Sequence, residues 1–269
     1  MLVTGRIIMP KVNVLKQTLK AGKFVFGTWS NIPSPNVINI LSNSGLDFVI
    51  IDMEHGPTSY EMLEYQIYAA DCENVTPIVR LSDSSEKDIL HALEVGAQSI
   101  LISHVTSAIE VEKIVQSTRY YPEGGRGISL FTRNHGYSDN NFKNKMKDIN
   151  EQIFTGILIE GEEGVNNLEN ICSVINLDMV YLGIYDISQV LGVPGDVKNK
   201  KVVKLIKDMV KMIESQGLVA GSVAPDREYI KLLIDSGFRF ISYRADSAVL
   251  LNGFSTAYSW FQELSKDLT

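Results

Sequence analysis

The stretch FVIIDMEHGPTSYEMLEYQIYAADCENVTPIVRLS, residues 48–82, contains one complete strand–helix–strand unit. Its opening, FVIIDME (48–54), is rich in apolar β-branched residues and predicts a buried strand. The segment SYEMLEYQIYAADCEN (59–74) predicts a helix, and TPIVRLS (76–82) predicts a second strand. Strands that alternate with helices of this length pair in parallel, so this unit indicates an α/β fold.

The same alternation extends over the rest of the chain. Strands are predicted at 24–30, 48–54, 76–82, 99–105, 154–160, 179–188, 218–224 and 238–246, each followed by a helix, at 34–45, 59–74, 85–96, 107–120, 163–175, 200–217, 226–237 and 247–264. Eight such units predict a (β/α)₈ TIM barrel that forms one domain over residues 1–269. A further helix at about 9–22 is expected to close the bottom of this barrel, and a polar helix is predicted at about 141–152.

An open doubly wound sheet is the alternative fold. No G-x-G-x-x-G motif opens the first helix, as the dinucleotide-binding version of that fold would require. The match GGRGIS (124–129) lies in a predicted loop, with no strand before it or helix after it.

Composition narrows the function classes. The formal net charge of −7 disfavours a basic nucleic-acid-binding face. The two cysteines, Cys72 and Cys172, are far apart, which indicates neither a disulfide framework nor a cysteine metal site and suits a reducing compartment. No apolar run reaches the roughly 18 residues of a membrane span, and no signal-peptide apolar region is seen, so we expect a cytoplasmic protein.

Polar side chains recur at the ends of successive predicted strands. They are Asp52, Glu54 and His55 after the second strand, then Arg80, His104, Glu160 and Asp186 after the third to sixth. Active sites of (β/α)₈ barrels lie at the C-terminal ends of the strands. A rim salt bridge or a helix cap would explain any one of these residues alone, but together they predict a functional site.

The residue types in this set point to metal and general-base chemistry. Glu160 and Asp186 come from neighbouring strands and could share one hard cation, Mg²⁺ or Mn²⁺. Arg80 offers a planar fork for a substrate carboxylate. His55 could act as a general base if a carboxylate orients its ring, and Asp52 is the expected orienting residue. No lysine ends a predicted strand, so a Schiff-base mechanism is not expected.

Separated motifs in the chain resemble those of the HpcH/HpaI family of metal-dependent class II pyruvate aldolases. These motifs are DMEHG (52–56), PIVRLS (77–82), LEVGAQSI (93–100), RYYPEGGRG (119–127), LIE (158–160), GIYDIS (183–188) and LGVPG (191–195). The resemblance runs from about FGTWSNIPSP to DSAVLLNGF, which is nearly the whole chain.

The resemblance implies roles for individual residues. Glu160 and Asp186 would bind the cation, which is Mg²⁺ or Mn²⁺ with Co²⁺ as a further candidate. Arg80 would bind the pyruvate carboxylate and stabilise the enolate. His55, paired with Asp52, would be the acid/base.

The resemblance also implies how the site is lined and assembled. Glu54 would hold a metal-bound water, Trp29 and Ser30 would line the site, and Leu158 and Tyr185 would contact the substrate. Members of this family are often hexamers in which the last helix is exchanged between paired subunits, so we expect a homo-oligomer. The aromatic residues of FSTAYSWFQEL (254–264) are expected to pack at a subunit interface or on the barrel wall.

Three positions depart from the family pattern. Leu158 replaces a glutamine near the pyruvate oxygens, Ile184 replaces a proline, and Ser103 replaces a proline beside His104. In the long loop, Arg126, Arg133 and His135 could receive the aldehyde end of the substrate, within one chain or across a subunit interface; a mobile loop without such a role is the alternative.

The resemblance predicts an aldolase, a lyase that cleaves a 4-hydroxy-2-oxo acid into pyruvate and an aldehyde. The alternatives are a related lyase that acts on an acyl-CoA ester, an oxo-acid decarboxylase, or a non-catalytic barrel that binds keto acids or sugar acids. We expect small-molecule oxo-acid and aldehyde substrates, no nucleic acid and no membrane partner.

Overall fold

A computed structural model of the chain describes residues 11–73 and 75–266. Eight parallel strands pair in sequence order and close into a barrel, which confirms the predicted fold. The strands are β1 Val25–Ser30, β2 Phe48–Asp52, β3 Thr76–Leu81, β4 Ser99–Ile102, β5 Phe154–Ile159, β6 Met179–Leu182, β7 Val219–Ala224 and β8 Phe240–Ala245.

Helices surround this barrel. They are α1 Val14–Lys20, α2 Pro35–Ser42, α3 Tyr60–Cys72, α4 Glu86–Glu94, α5 Ala108–Thr118, α6 Phe142–Gln152, α7 Glu162–Asn166, α8 Leu168–Cys172, α9 Ile184–Val190, α10 Lys200–Ser215, α11 Arg227–Asp235 and α12 Asp246–Ser265. Several begin at a polar cap, because the side chains of Ser59, Ser85, Ser107 and Asp226 accept a backbone N–H of the first turn that has no partner within the helix. None of the helices in the described part of the chain is long and apolar enough to cross a membrane.

The continuous apolar run in β2 serves two separate cores. Phe48 and Ile50 point into the barrel, whereas Val49 and Ile51 point outwards to the helices. Both faces of the strand are therefore buried, which is the usual situation in a parallel sheet covered by helices.

The N-terminal helix closes the bottom of the barrel, as predicted. Leu15 and Leu19 of α1 pack into the inner core together with Phe48 and Phe154. The helix begins at Val14, and residues 9 and 10 of the predicted helix lie outside the described residues.

Two predicted elements differ from the structure. The predicted strand 179–188 is wrong beyond Leu182, since residues 184–190 form α9, in which Ile184, Ile187 and Ser188 are buried at helical spacing. The predicted helix 163–175 is divided into α7 and α8 at Asn167, whose side-chain amide donates to the carbonyl of Thr106 at 2.8 Å.

A buried network of charges ties the bottom of the barrel together. Asp178 lies 3.1 Å from the ammonium of Lys16 and 3.6 Å from the guanidinium of Arg119. Arg119 also donates to Thr155 at 3.0 Å and to the carbonyl of Asn176 at 3.1 Å. Burial lowers the pKa of both Lys16 and Arg119, and Asp178 opposes that shift.

The last helix does not cover the barrel wall. Its large apolar side chains are mostly exposed, namely those of Val249, Leu250, Leu251, Phe254, Tyr258, Trp260, Phe261 and Leu264. The expectation that the aromatic residues of this helix pack on the wall of their own barrel is therefore wrong, and packing at a subunit interface stays a prediction.

Candidate active site

The segment after β2 makes a tight turn around the carboxylate of Asp52. This carboxylate accepts the backbone N–H groups of Glu54 and His55 at 3.0 and 3.1 Å. A Cβ atom on Gly56 would lie 2.3 Å from the carbonyl oxygen of Asp52, so only glycine fits there. The DMEHG motif thus fixes the backbone from which Glu54 and His55 project.

The partner of the Asp52 side chain is Arg80. The Nε of Arg80 donates to Asp52 at 2.8 Å, and Asn31 donates to the second carboxylate oxygen at 2.9 Å. Burial alone would raise the pKa of Asp52, but the hydrogen bond and charge of Arg80 hold this pKa below its usual range. Asp52 was expected to orient the imidazole of His55; it binds the backbone of His55 instead, because its oxygens are taken by Arg80, Asn31 and the turn.

Glu54 lies at the centre of a second cluster. It is 3.0 Å from the guanidinium of Arg80, and it accepts the hydroxyl of Ser103 at 2.6 Å. The imidazole of His104 contacts Glu54 at 2.9 Å through Nε2 and Glu160 at 2.7 Å through Nδ1. His104, whose partner the sequence did not reveal, therefore links the carboxylates that follow β2 and β5.

Glu160 is a crowded carboxylate. Burial raises its pKa, the nearby charges of Asp186 and Glu54 raise it further, and His104 opposes them. Glycine at 183 makes this approach possible, since a Cβ there would lie 2.9 Å from the Cβ of Glu160. Asp186 is exposed on the first turn of α9, one short segment beyond the strand end at which it was predicted.

The carboxylates of Glu160 and Asp186 are the type of ligand that a hard divalent cation prefers. Among residues 11–73 and 75–266, no group of three or more His, Cys, Asp or Glu side chains is already arranged around a metal position. Mg²⁺ needs fewer protein ligands than that, because it keeps several waters and commonly binds one or two carboxylates. Glu160 and Asp186 supply two carboxylates, and a cation between them would relieve the repulsion that raises the pKa of Glu160.

An open cavity of about 480 Å³ lies beside these clusters at the C-terminal ends of the strands. It is lined by Trp29, Asn31, Asp52, His55, Arg80, Tyr185, Val223, Pro225, Arg244, Ala245 and Ala248. The indole N–H of Trp29 donates to Tyr181 and Ser242, and the Arg80 guanidinium lies 4.6 Å from the Trp29 ring centre. The floor below Arg80 is thus a fixed aromatic surface.

The predicted substrate contacts have different outcomes. Trp29 and Tyr185 line the cavity. Ser30 does not: it is buried, and its hydroxyl donates to Asp246 at 2.8 Å. Leu158 is 3% exposed and packs in the inner core, because an apolar side chain at this position joins the barrel interior.

The long loop lies at the opposite end of the barrel, because it connects the end of α5 to α6, which leads into the start of β5. His135 is buried against Tyr120, with 2.9 Å between its Nε2 and the phenol oxygen, and Arg126 stacks on the same Tyr120 ring. Arg133 pairs with Asp71 at 2.6 Å. The expectation that these three residues receive the aldehyde is wrong within one chain, because they pack at the bottom; a contribution to a neighbouring subunit stays a prediction.

Two polar residues of the cavity were missed by the sequence reasoning. Asn31 follows β1 directly, and Arg244 is near the end of β8. Extending the strand-end argument from β2–β6 to the first and last strands would have found both.

Comparison with known proteins identifies the family of the chain. The family model described as HpcH/HpaI aldolase/citrate lyase matches residues 25–253. The chain is 32% identical over 253 residues to a hydroxypyruvate/pyruvate aldolase of Roseobacter denitrificans, covering 93% of this chain and 98% of that protein.

Two further matches have different names. A 2-keto-3-deoxy-L-rhamnonate aldolase of Escherichia coli is 26% identical over 250 residues and is covered to 93%. The crystal structure of the citrate synthase SbnG is 30% identical, with a TM-score of 0.85 over 93% of this chain and 98% of that one. The family match and the 32% identity over almost the full length show that the chain belongs to the HpcH/HpaI aldolase/citrate lyase family.

Proposed function

We propose that the protein is a metal-dependent aldolase that cleaves a 4-hydroxy-2-oxo acid into pyruvate and an aldehyde. The observation that carries this proposal is the chain of contacts Arg80–Glu54–His104–Glu160 at the strand ends, with the charge of Asp186 close enough to raise the pKa of Glu160. Membership of the family and the aldolase names of the two relatives support the reaction class.

Arg80 is suited to the pyruvate half of the substrate. A guanidinium carries five N–H donors, and the pairs with Asp52 and Glu54 use three of them, through Nε, Nη2 and Nη1. Two N–H donors remain, one on each terminal nitrogen of Arg80, which lines the cavity. These two can bind the substrate carboxylate, and the positive charge opposes the negative charge that grows on the enolate.

His55 is suited to the proton transfer. Its backbone is held by Asp52, while its ring is exposed, lines the cavity and has no hydrogen-bond partner among the described residues. The ring can take the proton from the 4-hydroxyl while the C3–C4 bond breaks and the aldehyde leaves. In the reverse direction it returns that proton to the new hydroxyl.

Glu160 and Asp186 would hold Mg²⁺ or Mn²⁺. When bound, the cation acts as a Lewis acid toward the 2-oxo oxygen. Within the described residues no lysine lines the cavity. We therefore do not expect activation of the substrate carbonyl through an imine in place of the cation.

The test is an aldol assay with pyruvate, a panel of aldehydes and EDTA-treated protein, read by product mass. We expect no turnover without metal and recovery on addition of Mg²⁺, Mn²⁺ or Co²⁺. Borohydride added with pyruvate should leave the protein mass unchanged. A lysine adduct trapped by borohydride would contradict the proposal.

A condensation like that named for the citrate synthase SbnG is the second candidate, favoured by the 30% identity and close fold. It would use the same enolate-stabilising groups with another carbon donor. An assay with acetyl-CoA and oxaloacetate in place of pyruvate and aldehyde separates the two candidates.

We also propose that the active form is a homo-oligomer in which α12 packs on a second copy of the chain. The support is the run of exposed apolar side chains from Val249 to Leu264, since a helix that is apolar on most sides is normally buried. Light scattering should give a mass of at least twice the 29.9 kDa of one chain. A monomeric mass at micromolar concentration would contradict this assembly.

A further inference from the structure

Arg244 occupies an unusual backbone position at the end of β8. Its φ is +43°, in the left-handed region that favours glycine. Such a conformation persists in other residue types only when the surrounding structure enforces it, and it is enriched at binding sites. The backbone conformation therefore indicates that the Arg244 side chain is a candidate for a role in binding.

The Arg244 guanidinium is held at one end and unpaired at the other. Its Nε donates to the carbonyl of Pro225 at 2.8 Å, and its Cζ lies 5.7 Å from the ring centre of Tyr243. Within the described residues neither terminal nitrogen has a hydrogen-bond partner, and no carboxylate lies within 4.0 Å. The fork that recognises a carboxylate or phosphate is thus oriented by the protein but not occupied by it.

The charges around the cavity are unevenly balanced. The charge of Arg80 is compensated by Asp52 and Glu54. Among the described residues that line the cavity, Asp52 is the only carboxylate, so Arg244 has no acidic partner there, and its lining neighbours include the apolar residues Val223 and Ala248. A cation in such surroundings attracts an anion more strongly than one in open water.

The position of Arg244 separates it from the groups assigned to pyruvate. Arg80 is on β3 and Arg244 is on β8, with β1 and β2 between them in the barrel. Because Arg80 and Arg244 line the same cavity, a substrate whose oxo-acid end lies at Arg80 can extend its other end toward β8.

We propose that Arg244 binds an anionic group at the aldehyde end of the substrate. This inference rests on the proposed aldolase function and narrows its substrate class: the 4-hydroxy-2-oxo acid carries a second anion, and the aldehyde released from it is a carboxylate or a phosphate ester. Both anions match the guanidinium fork, and cavities of about this size accept small molecules of either kind.

The first arm of the experiment measures discrimination between paired aldehydes. Succinic semialdehyde is compared with butanal, and glyceraldehyde 3-phosphate with glyceraldehyde, each with pyruvate and Mn²⁺. We expect a kcat/KM for one anionic aldehyde roughly 10–100-fold above that of its neutral counterpart. The better of the two pairs identifies the anion as carboxylate or phosphate.

The variants test whether Arg244 causes this preference. Arg244→Gly suits the positive φ and removes the charge, so the preference should fall to about twofold or less. Arg244→Lys keeps the positive charge but not the planar guanidinium, so it should retain part of the preference for the anionic aldehyde. Arg227→Ala, an exposed arginine on α11 outside the cavity, is the matched control and should keep the full preference. An unchanged preference in Arg244→Gly, or none in the parent protein, overturns the inference.

The second arm does not depend on turnover. This arm is a calorimetric titration with succinate and with glycerol 3-phosphate, with butanol and glycerol as the neutral controls. At least one of the two anions should bind the parent protein. The same anion should bind Arg244→Gly with an affinity lower by roughly 10-fold or more. Equal binding by both proteins overturns the anion site. Loss of binding in Arg244→Gly together with no aldol turnover of any aldehyde by the parent protein keeps the anion site and rejects the proposed function.

Discussion

The two ends of the barrel each contain a buried arginine paired with an aspartate, but the surroundings of the two pairs differ. At the bottom, Arg119 and Asp178 are joined by Lys16 of α1, by Thr155 and by a backbone carbonyl. At the top, Arg80 and Asp52 lie next to a carboxylate whose pKa is raised by burial and like charges, beside an open cavity. Under the proposed function, the pair at the bottom has a structural role only, whereas the pair at the top leaves guanidinium donors for the substrate.

Non-glycine residues with positive φ occur at both ends of the barrel, at Tyr137, Asn141 and Asn176 at the bottom and at two strand ends at the top. The residues at the top with positive φ include His104 at +57° and Arg244 at +43°, both at strand ends and both next to the proposed chemistry. Strain of this kind is commonly retained where it positions a functional side chain. Four measurements would test the contrast between the two ends.

The largest expected effect is on catalysis at the top. His55→Ala should reduce aldol cleavage by about 10²–10⁴-fold, the usual contribution of a general base. It should retain metal and pyruvate binding and the decarboxylation of oxaloacetate, which needs no proton from a 4-hydroxyl. Both reactions are measured in one preparation; equal loss of the two would show that His55 organises the whole site.

The next effect concerns the crowded carboxylate. Glu160→Gln should weaken Mn²⁺ binding by more than about 100-fold, because one of two anionic ligands is lost. In metal-free protein the same change should raise the Tm, since it removes a carboxylate crowded by Asp186 and Glu54. Calorimetry and thermal unfolding check the two halves, and unchanged Mn²⁺ affinity would reject Glu160 as a ligand.

A third effect is expected at the bottom, on stability alone. Arg119→Met should lower the free energy of unfolding by about 3 kcal/mol, the lower end of the range for a broken buried pair, because Lys16 still compensates Asp178. Its kcat should not change. Arg80→Lys is the matched variant at the top, and it should lower kcat/KM because an ammonium cannot reproduce the fork. Urea unfolding and kinetics on both variants would show whether the roles separate.

The smallest effect is a pH dependence from the bottom. Burial, and then the charges of Arg126 and Lys145, lower the pKa of His135 to about 4, well below its ordinary value of 6.5. Because the unfolded chain binds the proton more readily, stability should fall as the pH drops from 6.5 toward 4. His135→Gln should flatten that part of the urea-midpoint profile, and a profile identical to that of the parent protein would contradict this assignment.

Much of the fold could be read from the sequence because strand–helix alternation is a local pattern. The boundaries of β5 and β7 were within one or two residues of the prediction. The predicted sixth strand failed beyond Leu182 because IYDISQV is short and apolar at helical spacing as well, so tertiary packing decides its conformation.

The site was less accessible to the same reasoning. The strand-end argument predicts that Asp52, Arg80, Glu160 and His104 lie at one rim of the barrel. It does not predict which of these side chains contact each other. The Asp52–Arg80 pair is a contact between residues 28 positions apart, and it excluded the expected Asp52–His55 ring contact. The burial of Ser30 against Asp246 depends on how β1 meets the start of α12, which no local pattern encodes.

The exposed apolar face of α12 has a consequence for stability. In the proposed homo-oligomer, this surface would tie the unfolding of each copy to its association with others, so mass action would enter the folding equilibrium. The Tm would then rise with protein concentration, and dilute samples would lose the native state first. Variants would have to be compared at one fixed protein concentration, and a substitution on α12 could lower apparent activity without altering a single group in the cavity.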